Sequence, residues 1–227
     1  MTLALQLPGN LARWAENSLR SGRNVLATDN QGTVLLFREA GMEFVIKAAM
    51  GAGAVRRARQ ATLEREYRAY ERLGEVSGVP RCYGFLDDKY LVLEYIHGQP
   101  YREAQISDRE GWFAQLLETL KECHARGVAH GDLKSKSNLM ITDRGEPCII
   151  DFGTTVLARR GFHPVGNRMF AYACQLDLNA WVKHKYEGRY EDATPEDAAM
   201  LRHSWIERWL RGRRLKKKEK RGSQASG

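Results

Sequence analysis

The sequence lacks the features that would place a chain inside a membrane or hold it together with disulfides. No apolar run approaches the ~20 residues that cross a bilayer. Residues 1–5 carry no basic stretch ahead of their apolar part, so no secretory signal is expected. The four cysteines are widely spaced and form no Cys-x-x-Cys pair. We therefore expect free thiols in a reducing, cytoplasmic setting, with peripheral contact at the inner membrane face as the alternative.

Positive charge is concentrated at one end of the chain. The net charge of the 227 residues is +8, and residues 211–221 alone contribute +7, from eight basic residues and Glu219. The remainder of the chain is close to neutral. This basic segment, residues 211–227, is expected to be a disordered tail in solution. Attraction to an anionic membrane surface is the next interpretation, and binding to nucleic acid is the least favoured.

One stretch, residues 130–153, concentrates the polar groups that suggest chemistry. It begins His-Gly-Asp-Leu-Lys at 130–134, continues to Asn138, and ends Asp-Phe-Gly at 151–153. Residues 139–141 and 148–150 are predicted to be paired strands, because a turn-forming segment at 143–147 separates them. The hairpin would bring Asn138 and Asp151 to the same edge, where their oxygens suit Mg²⁺. Asp132 would remain available as a base.

These two motifs, in this order, resemble the protein kinase superfamily pattern H-R-D-x-x-x-x-N followed by D-F-G. The resemblance implies an α+β, two-lobed protein-kinase-like fold. Residues 1–97 would form a small N-lobe, with a leading helix, an antiparallel sheet of five strands and one main helix. Residues 98–210 would form a mostly helical, truncated C-lobe carrying the catalytic loop. The implied ligands are ATP, Mg²⁺ and a hydroxyl acceptor.

The resemblance also implies roles for individual residues. Asp132 would orient the acceptor hydroxyl and take its proton, and Lys134 would steady the phosphoryl group in transit. Lys47, in the strand Phe44-Val45-Ile46-Lys47, would hold the ATP phosphates. Glu66 lies 19 residues later on a predicted helix over 54–73 and would pair with Lys47. The implied metal ligands are Asn138 and Asp151.

Two further pairs of residues are implied to contact the nucleotide. Gly32 and Val34 match only the last part of the Gly-rich phosphate loop, because Ala27 and Asp29 stand where its first glycines would be. Fewer backbone N–H groups can then close over the phosphates, which predicts weaker or differently organised clamping. Glu94 and Ile96 lie in the predicted linker between lobes, where backbone groups would bind the adenine edge.

The catalytic motif departs from the family pattern in three ways. Gly131 replaces the arginine that pairs with a phosphorylated activation loop, so control by loop phosphorylation is not expected. Asn138 follows Asp132 by six residues instead of five, which suggests a one-residue insertion and leaves Ser137 as the alternative metal ligand. After Gly153 no Ala-Pro-Glu motif appears, and the peptide-binding segment looks truncated. His-Gly-Asp also occurs in RIO-like kinases, lipopolysaccharide-core sugar kinases and aminoglycoside phosphotransferases.

Several other elements are predicted from pattern. Residues 10–20 should form a leading helix, and a capping box at Ser107 should open a helix ending near Gly127. A helix beginning near 167–170 should carry Asp177, which resembles the aspartate that braces the catalytic loop. The last helix should run from Pro195 to Leu210, with Thr194 as its N-cap. His130 is expected to be a scaffold residue and His124 a packed residue at a helix end.

Three functions remain open at this point. The first is a kinase that phosphorylates a hydroxyl group; its Asp-Leu-Lys loop favours a serine/threonine type, and its alternative acceptor is a sugar of lipopolysaccharide core or another membrane-linked saccharide. The second is a pseudokinase, supported only by the incomplete Gly-rich loop. The third is a nucleic-acid-associated ATP-binding factor that uses the basic tail.

Overall fold

The computed structural model describes residues 7–28, 32–159 and 161–202. Its first part is built on an antiparallel sheet of five strands in the order β1-β2-β3-β5-β4. The strands are β1 (Val25–Thr28), β2 (Thr33–Glu39), β3 (Met42–Ala48), β4 (Cys82–Leu86) and β5 (Tyr90–Glu94). In β2, buried and partly buried residues alternate, as expected for a strand whose two faces differ in burial. The five strands predicted from the sequence are all present.

Two helices cover the two faces of this sheet. Helix α1 (Leu11–Ser21) buries Leu11 and Ala15 against the face formed by side chains such as Phe37 and Ile46. It ends where Gly22 adopts a left-handed conformation, with φ 66°. Helix α2 (Gly53–Leu73) faces the other lobe and buries Glu66 among apolar residues. The main helix of the N-lobe therefore carries one buried acid toward the sheet.

The second part of the chain is mainly helical. Its helices are α3 (Arg109–Ala125), α4 (Pro164–Lys185) and α5 (Pro195–Ala199). Short strands lie between them: β6 (Gly98–Pro100), β7 (Val128–Ala129), β8 (Leu139–Thr142), β9 (Pro147–Ile149) and β10 (Val156–Leu157). Strands β8 and β9 form the predicted hairpin, with Leu139 opposite Ile149. Together with the sheet domain, this arrangement is the predicted α+β, two-lobed fold.

The apolar core is continuous between the two parts. One cluster joins α2 residues such as Tyr70 and Leu73 to Phe113 on α3, Phe152 after β9 and Trp181 on α4. Trp181 is fully buried, and its indole Nε1–H donates to the backbone oxygen of Phe113 at 2.8 Å. Because this core packs around the segment between β7 and β10, it fixes the position of the polar residues on that segment.

The ends of three elements differ from the predictions. Asp108 caps α3, accepting from the backbone N–H of Gly111 at 2.9 Å, so the capping box at Ser107 was wrong by one residue. Helix α4 begins at Pro164, earlier than predicted, because proline suits the first helical turn. Helix α5 ends at Ala199, so the single helix predicted from Pro195 to Leu210 was wrong.

The rest of that predicted helix, from residue 203, and the basic segment at 211–227 lie outside the described residues. Within the described ranges, no helix is long and apolar enough to cross a membrane. The lobe boundary placed near residue 97 stays a prediction. It falls between β5 of the large sheet and β6, which pairs with β8 in the second lobe.

Candidate active site

The centre of the site is an ammonium group held between two carboxylates. Lys47 lies on β3, and its Nζ is 2.7 Å from Oε1 of Glu66 on α2. The same Nζ is 2.7 Å from Oδ1 of Asp151, which follows β9. Lys47 and Asp151 are 104 positions apart in the sequence, so their contact depends on the tertiary fold. The pairing of Lys47 with Glu66 is as predicted, and the contact with Asp151 was not foreseen.

The three charges shift one another's pKa values. Burial alone would lower the pKa of Lys47, but the charges of Glu66 and Asp151 outweigh burial and raise it. Burial raises the pKa of the Glu66 carboxyl, although Lys47 opposes this shift. Burial would also raise the pKa of the Asp151 carboxyl, but the positive charge of Lys47 outweighs burial and lowers this pKa. Asp151 is thus held in the charged form that binds a cation.

The backbone after β9 fixes the direction of Asp151. Its φ is 65°, a left-handed conformation that is uncommon for a residue with a side chain. Phe152, fully buried, packs against the ring of Tyr70 on α2 at 5.3 Å between centroids. Arg65 on the same helix donates to the backbone oxygen of Gly153 at 3.0 Å. Helix α2 therefore holds the Asp-Phe-Gly segment with an aromatic contact and a hydrogen bond.

The catalytic loop lies between β7 and β8. Asp132 is half-buried, and its carboxylate makes no hydrogen bond with any side chain in the described part of the protein. Its backbone N–H donates to Nδ1 of His130 at 3.2 Å. Lys134, two residues later, is exposed. A carboxylate without a hydrogen-bond partner among the described residues, next to an accessible ammonium group, is suited to receive a hydroxyl acceptor and a phosphoryl group.

The two alternative metal ligands before β8, Asn138 and Ser137, differ in burial. Asn138 is buried, and its Nδ2 donates to the backbone oxygen of Asp132 at 3.0 Å. Its own backbone oxygen accepts from Ile150 at 3.0 Å, which places Asn138 beside the residue that precedes Asp151. Ser137 is exposed and donates to Oδ1 of Asn138. Lys136–Asn138 form a 3₁₀ turn, and Asn138 immediately precedes β8.

These side chains fit a magnesium ion held jointly with phosphate groups. Asn138 carries an amide oxygen and Asp151 a carboxylate, and both could serve as ligands. Among the described residues, no cluster of three or more His, Cys, Asp or Glu occurs. Mg²⁺ commonly binds through one or two carboxylates and completes its shell with water and substrate phosphates. The metal assignment of these two residues stays a prediction.

A buried aspartate on α4, Asp177, holds the backbone of the catalytic loop through hydrogen bonds. Asp177 is fully buried, and its carboxylate accepts from the backbone N–H of His130 at 2.7 Å and of Gly131 at 2.9 Å. Nε2 of His124 lies 3.1 Å from the same carboxylate. His130 contacts the backbone oxygen of Ile150 through Nε2 at 3.0 Å and is buried. The predicted bracing role of Asp177 and the scaffold role of His130 are confirmed.

Gly131 occupies a position that disfavours a side chain. Its φ is 81°, and a Cβ placed there would lie 2.8 Å from the backbone oxygen of Thr154. Only glycine adopts this conformation at little cost. Glycine therefore suits this position, where the backbone of Thr154 lies directly against the loop.

The phosphate side of the cleft is narrow. Gly32, Val34 and Lys47 line a cavity of about 30 Å³ together with Glu66 and Asp151. A Cβ on Gly32 would lie 2.2 Å from the backbone oxygen of Ala48, so this glycine permits close packing of the chain before β2 on the end of β3. The structure thus places the two predicted phosphate-loop residues beside the ion-pair cluster, which is formed by Lys47, Glu66 and Asp151.

The predicted adenine contacts lie at the opposite end of the sheet. Glu94 is the last residue of β5, and Ile96 lies in the strand-free segment that follows. Their side chains are half-buried. The Glu94 carboxylate accepts from the backbone N–H of Arg81 at 3.0 Å. Adenine binding by the backbone here stays a prediction.

Sequence reasoning missed three residues that shape the site. Arg59 on α2 lines the cavity beside Lys47 and is its second positively charged side chain. Arg65 binds Gly153, and His184 on α4 contacts the backbone oxygen of Leu133 through Nε2 at 2.8 Å. Helical spacing gave a weak signal for Arg59, which lies seven residues before Glu66, two turns along the same helix face. His184 had no local signal.

Comparison with known proteins gives consistent matches. The family model described as "Protein kinase domain" matches residues 28–171, a range that includes every residue from Lys47 to Asp151 discussed above. Aurora kinase A-A of Xenopus laevis is 30% identical over 198 residues, covering 82% of this chain and 46% of that protein. Serine/threonine-protein kinase D of Synechocystis sp. is 36% identical over 101 residues, covering 41% of this chain and 20% of that protein.

A plant relative matches a shorter stretch. CBL-interacting protein kinase 24 of Oryza sativa subsp. japonica is 35% identical over 79 residues, covering 32% of this chain and 17% of that protein. The chain spans less than half the length of each of these three relatives. The match of the family model over most of the chain, together with the fold and the two motifs, shows that the chain belongs to the protein kinase domain family of phosphotransferases.

Proposed function

We propose that this chain transfers the γ-phosphoryl group of ATP, in the presence of Mg²⁺, to a hydroxyl acceptor, in the manner of serine/threonine kinases. The observation that carries the proposal is the position of Lys47 at 2.7 Å from both Glu66 and Asp151. In protein kinases the lysine–glutamate pair and the metal-binding aspartate must both be in place for transfer. Here the Lys47 ammonium contacts both carboxylates at once, which supports the proposal.

The residues on the nucleotide side act by holding charge. Lys47, restrained by Glu66, offers its ammonium to the phosphates, and Asn138 and Asp151 would hold Mg²⁺. When bound, the metal neutralises charge on the phosphate oxygens. Arg59 adds a second positive charge to the same cavity. Gly32 and Val34, which line the same cavity, would contact the phosphates, and backbone groups at Glu94 and Ile96 would receive the adenine.

The residues on the acceptor side act by positioning. The carboxylate of Asp132 would accept the hydrogen bond of the acceptor hydroxyl and take its proton as the new bond forms. Lys134 would stabilise the charge on the phosphoryl oxygens during transfer. Asp177 and His130 hold the loop backbone, so Asp132 meets the acceptor without a costly rearrangement.

A sugar on a membrane-linked saccharide, such as lipopolysaccharide core, is the second candidate acceptor. It is favoured by the short segment of ten residues, 154–163, between Gly153 and helix α4. This segment leaves little surface on which an extended peptide could bind. The basic residues at 211–221 would suit attraction to an anionic membrane at its inner face.

Incubation with radiolabelled ATP would test the proposal. We expect label on a generic protein substrate or on membrane glycolipid, and its loss in Asp132→Ala. Asp143→Ala is the matched control, because Asp143 is an exposed carboxylate on the nearby β8–β9 turn. Transfer that persists in Asp132→Ala would remove the catalytic assignment. Nucleotide binding without transfer to protein, glycolipid or RNA would instead indicate a pseudokinase or an ATP-binding factor.

A further inference from the structure

An open groove of about 960 Å³ lies between helix α3, the β8–β9 turn and the segment that follows β5. Its floor is apolar, because Val76, Leu117 and Cys148 line it and are buried. It shares residues 94–97 with the predicted adenine contacts. The ion-pair cluster and the carboxylate and ammonium groups of the catalytic loop do not line it. The groove is therefore a second concave surface, outside the site of phosphoryl transfer.

The rim of this groove carries an excess of negative charge. Five carboxylates line it, together with one guanidinium, that of Arg144, and one imidazole, that of His97. The imidazole is already paired, since its Nε2 lies 2.6 Å from the carboxylate of Glu43. The five carboxylates belong to Glu94, Glu118, Glu122, Asp143 and Glu146. Five carboxylates against one guanidinium leave an excess of four negative charges.

Most of these carboxylates are available to a further cation. Within the described ranges, Asp143 and Glu146 are exposed and form no ion pair. Glu118 and Glu122 pair only with exposed basic neighbours one turn further along the chain, each at 2.7 Å. Such exposed pairs stabilise a protein little, so cations from elsewhere can replace them at little cost. The rim therefore fits a positively charged segment.

The described chain ends one helix away from the groove. Phe113 on α3 accepts a hydrogen bond from Trp181 on α4, and further along α3 His124 contacts Asp177. The two helices therefore lie side by side. Asn179 lies on α4 between these two contacts and holds both backbone groups of the last described residue, at 3.0 and 3.1 Å. This anchor is level with the middle of α3, which is the part that lines the groove.

The chain that follows the anchor is long enough to reach the rim. Helices are about 10–12 Å across, so a path around α3 and α4 is roughly 25–35 Å long. The fourteen residues 203–216 would span at most about 46–50 Å when fully extended. As a flexible chain they would span about 20 Å on average. The basic segment at 211–221 can therefore lie along the groove without being stretched to its limit.

We propose that residues 211–221 of the same chain bind in this groove. They carry a net charge of +7, opposite in sign to the rim, and Leu215 at their centre matches the apolar floor. The anchor at Asn179 favours this occupant over a separate molecule, because a linked segment binds at a high effective concentration. Bound there, the segment lies beside residues 94–97, and its charges are withheld from membranes and nucleic acid. The proposal does not depend on transfer activity.

Zero-length coupling of amines to carboxylates with a carbodiimide, followed by mass spectrometry, tests the proposal on the whole chain. We expect Lys216, Lys217 and Lys218 to couple to the groove carboxylates with at least about fivefold higher yield than to Glu191 and Glu196. Those two are exposed and lie closer to the segment along the sequence, so a freely moving segment would reach them at least as often. Salt at about 1 M, where the Debye length is about 3 Å, should reduce the coupling.

A pair of variants separates binding in the groove from chance encounter. Asp143→Asn/Glu146→Gln should lower the yield of coupling to the remaining Glu118 and Glu122 at least about threefold, because it removes half of the excess charge of the rim. Glu191→Gln/Glu196→Gln removes the same number of exposed carboxylates outside the groove and should leave that yield unchanged. Equal amide-exchange protection of α3 in all three proteins verifies folding.

Three results would overturn the proposal. Equal yields at the groove and at Glu191 and Glu196 would show a segment that does not bind there. Coupling only between differently labelled chains, in a mixture of ¹⁴N and ¹⁵N protein, would assign the groove to a second copy. Coupling to Glu118 and Glu122 that persists in Asp143→Asn/Glu146→Gln, with the segment protected from exchange only by phosphatidylglycerol vesicles or RNA, would assign its charges to those partners.

Discussion

Replacing Lys47 with methionine separates the stabilising role of the ion-pair cluster from its proposed role in transfer. Methionine fills a similar volume but leaves the Glu66 and Asp151 carboxylates without their shared cation. The Glu66 side chain is 2% exposed and that of Lys47 is 17% exposed, so solvent compensates only slightly. Removing one partner of a buried ion pair costs about 3–5 kcal/mol. Because Lys47 retains some exposure, we expect about 3 kcal/mol.

A double-mutant cycle in urea checks this magnitude. Glu66→Gln removes the charge that Lys47→Met leaves unpaired, so Lys47→Met/Glu66→Gln should recover about 2 kcal/mol of the loss. Lowering the pH should also reduce the cost of Lys47→Met. Without its lysine, Glu66 has a folded-state pKa above its unfolded value. Its protonated form then stabilises the variant at low pH, and that contribution is lost as pH rises through the folded pKa.

The double variant should regain stability without regaining transfer activity. We expect Lys47→Met and the double variant both to lose about 10²- to 10³-fold in kcat, the usual cost of removing one preorganised electrostatic group. Recovery of activity with the recovered stability would contradict the assignment of Lys47 to the phosphates. Free energies that add to within about 0.5 kcal/mol would show that Lys47 and Glu66 are not energetically coupled, and would refute the reasoning from their 2.7 Å contact.

Three further predictions address other parts of the site. Gly131→Ala should cost at least about 1 kcal/mol of unfolding free energy, because its φ is 81° and the backbone oxygen of Thr154 lies close by. Gly145→Ala is the control: it has the same φ but open space around it, so it should cost only the strain of the left-handed backbone. Arg59→Ala should raise the KM for ATP about tenfold with little change in kcat. Arg57→Ala, exposed on the same helix, should change neither constant. If both variants raised the KM for ATP equally, a contact between Arg59 and the phosphates would be refuted. Burial lowers the pKa of His184 in the folded protein. As the pH falls below about 6.5, the unfolded chain therefore binds a proton at this residue before the folded chain does, and the free energy of unfolding should decline by up to about 1.4 kcal/mol per pH unit. His184→Gln should flatten this slope in urea titrations from pH 7 to 5.

Sequence patterns predicted the parts of the site that depend on local order. Asn138 and Asp151 flank a hairpin whose strands and turn are both encoded locally, so their shared edge followed from the pattern. Glu66 was assigned from the family resemblance, on a helix that the sequence predicts over 54–73, and the structure shows its contact with Lys47. Asp177 was inferred from the family resemblance, and the structure shows its carboxylate under the loop.

The features that were missed depend on contacts between distant segments. His184 contacts Leu133 across 51 positions, and Arg65 contacts Gly153 across 88, with no local signal in either case. Helix α5 ends early because Gln175 and Asn179 take the backbone groups of Met200 and Arg202, which a continuing helix would have used itself. The Ser107 cap failed because Asp108 is an equally good cap one residue later.

The contact of Lys47 with both carboxylates has a consequence for how tightly a nucleotide can bind. A kinase whose binding-competent arrangement is populated only 1% of the time loses about a hundredfold in apparent affinity, since the ligand must select the minor form. In this chain the lysine, the glutamate and the aspartate already meet at 2.7 Å, with α2 secured to Gly153 by Arg65. For the ATP binding proposed above, the three side chains need not be brought together first, and a smaller penalty of that kind would partly offset the weaker clamping expected from the incomplete glycine loop.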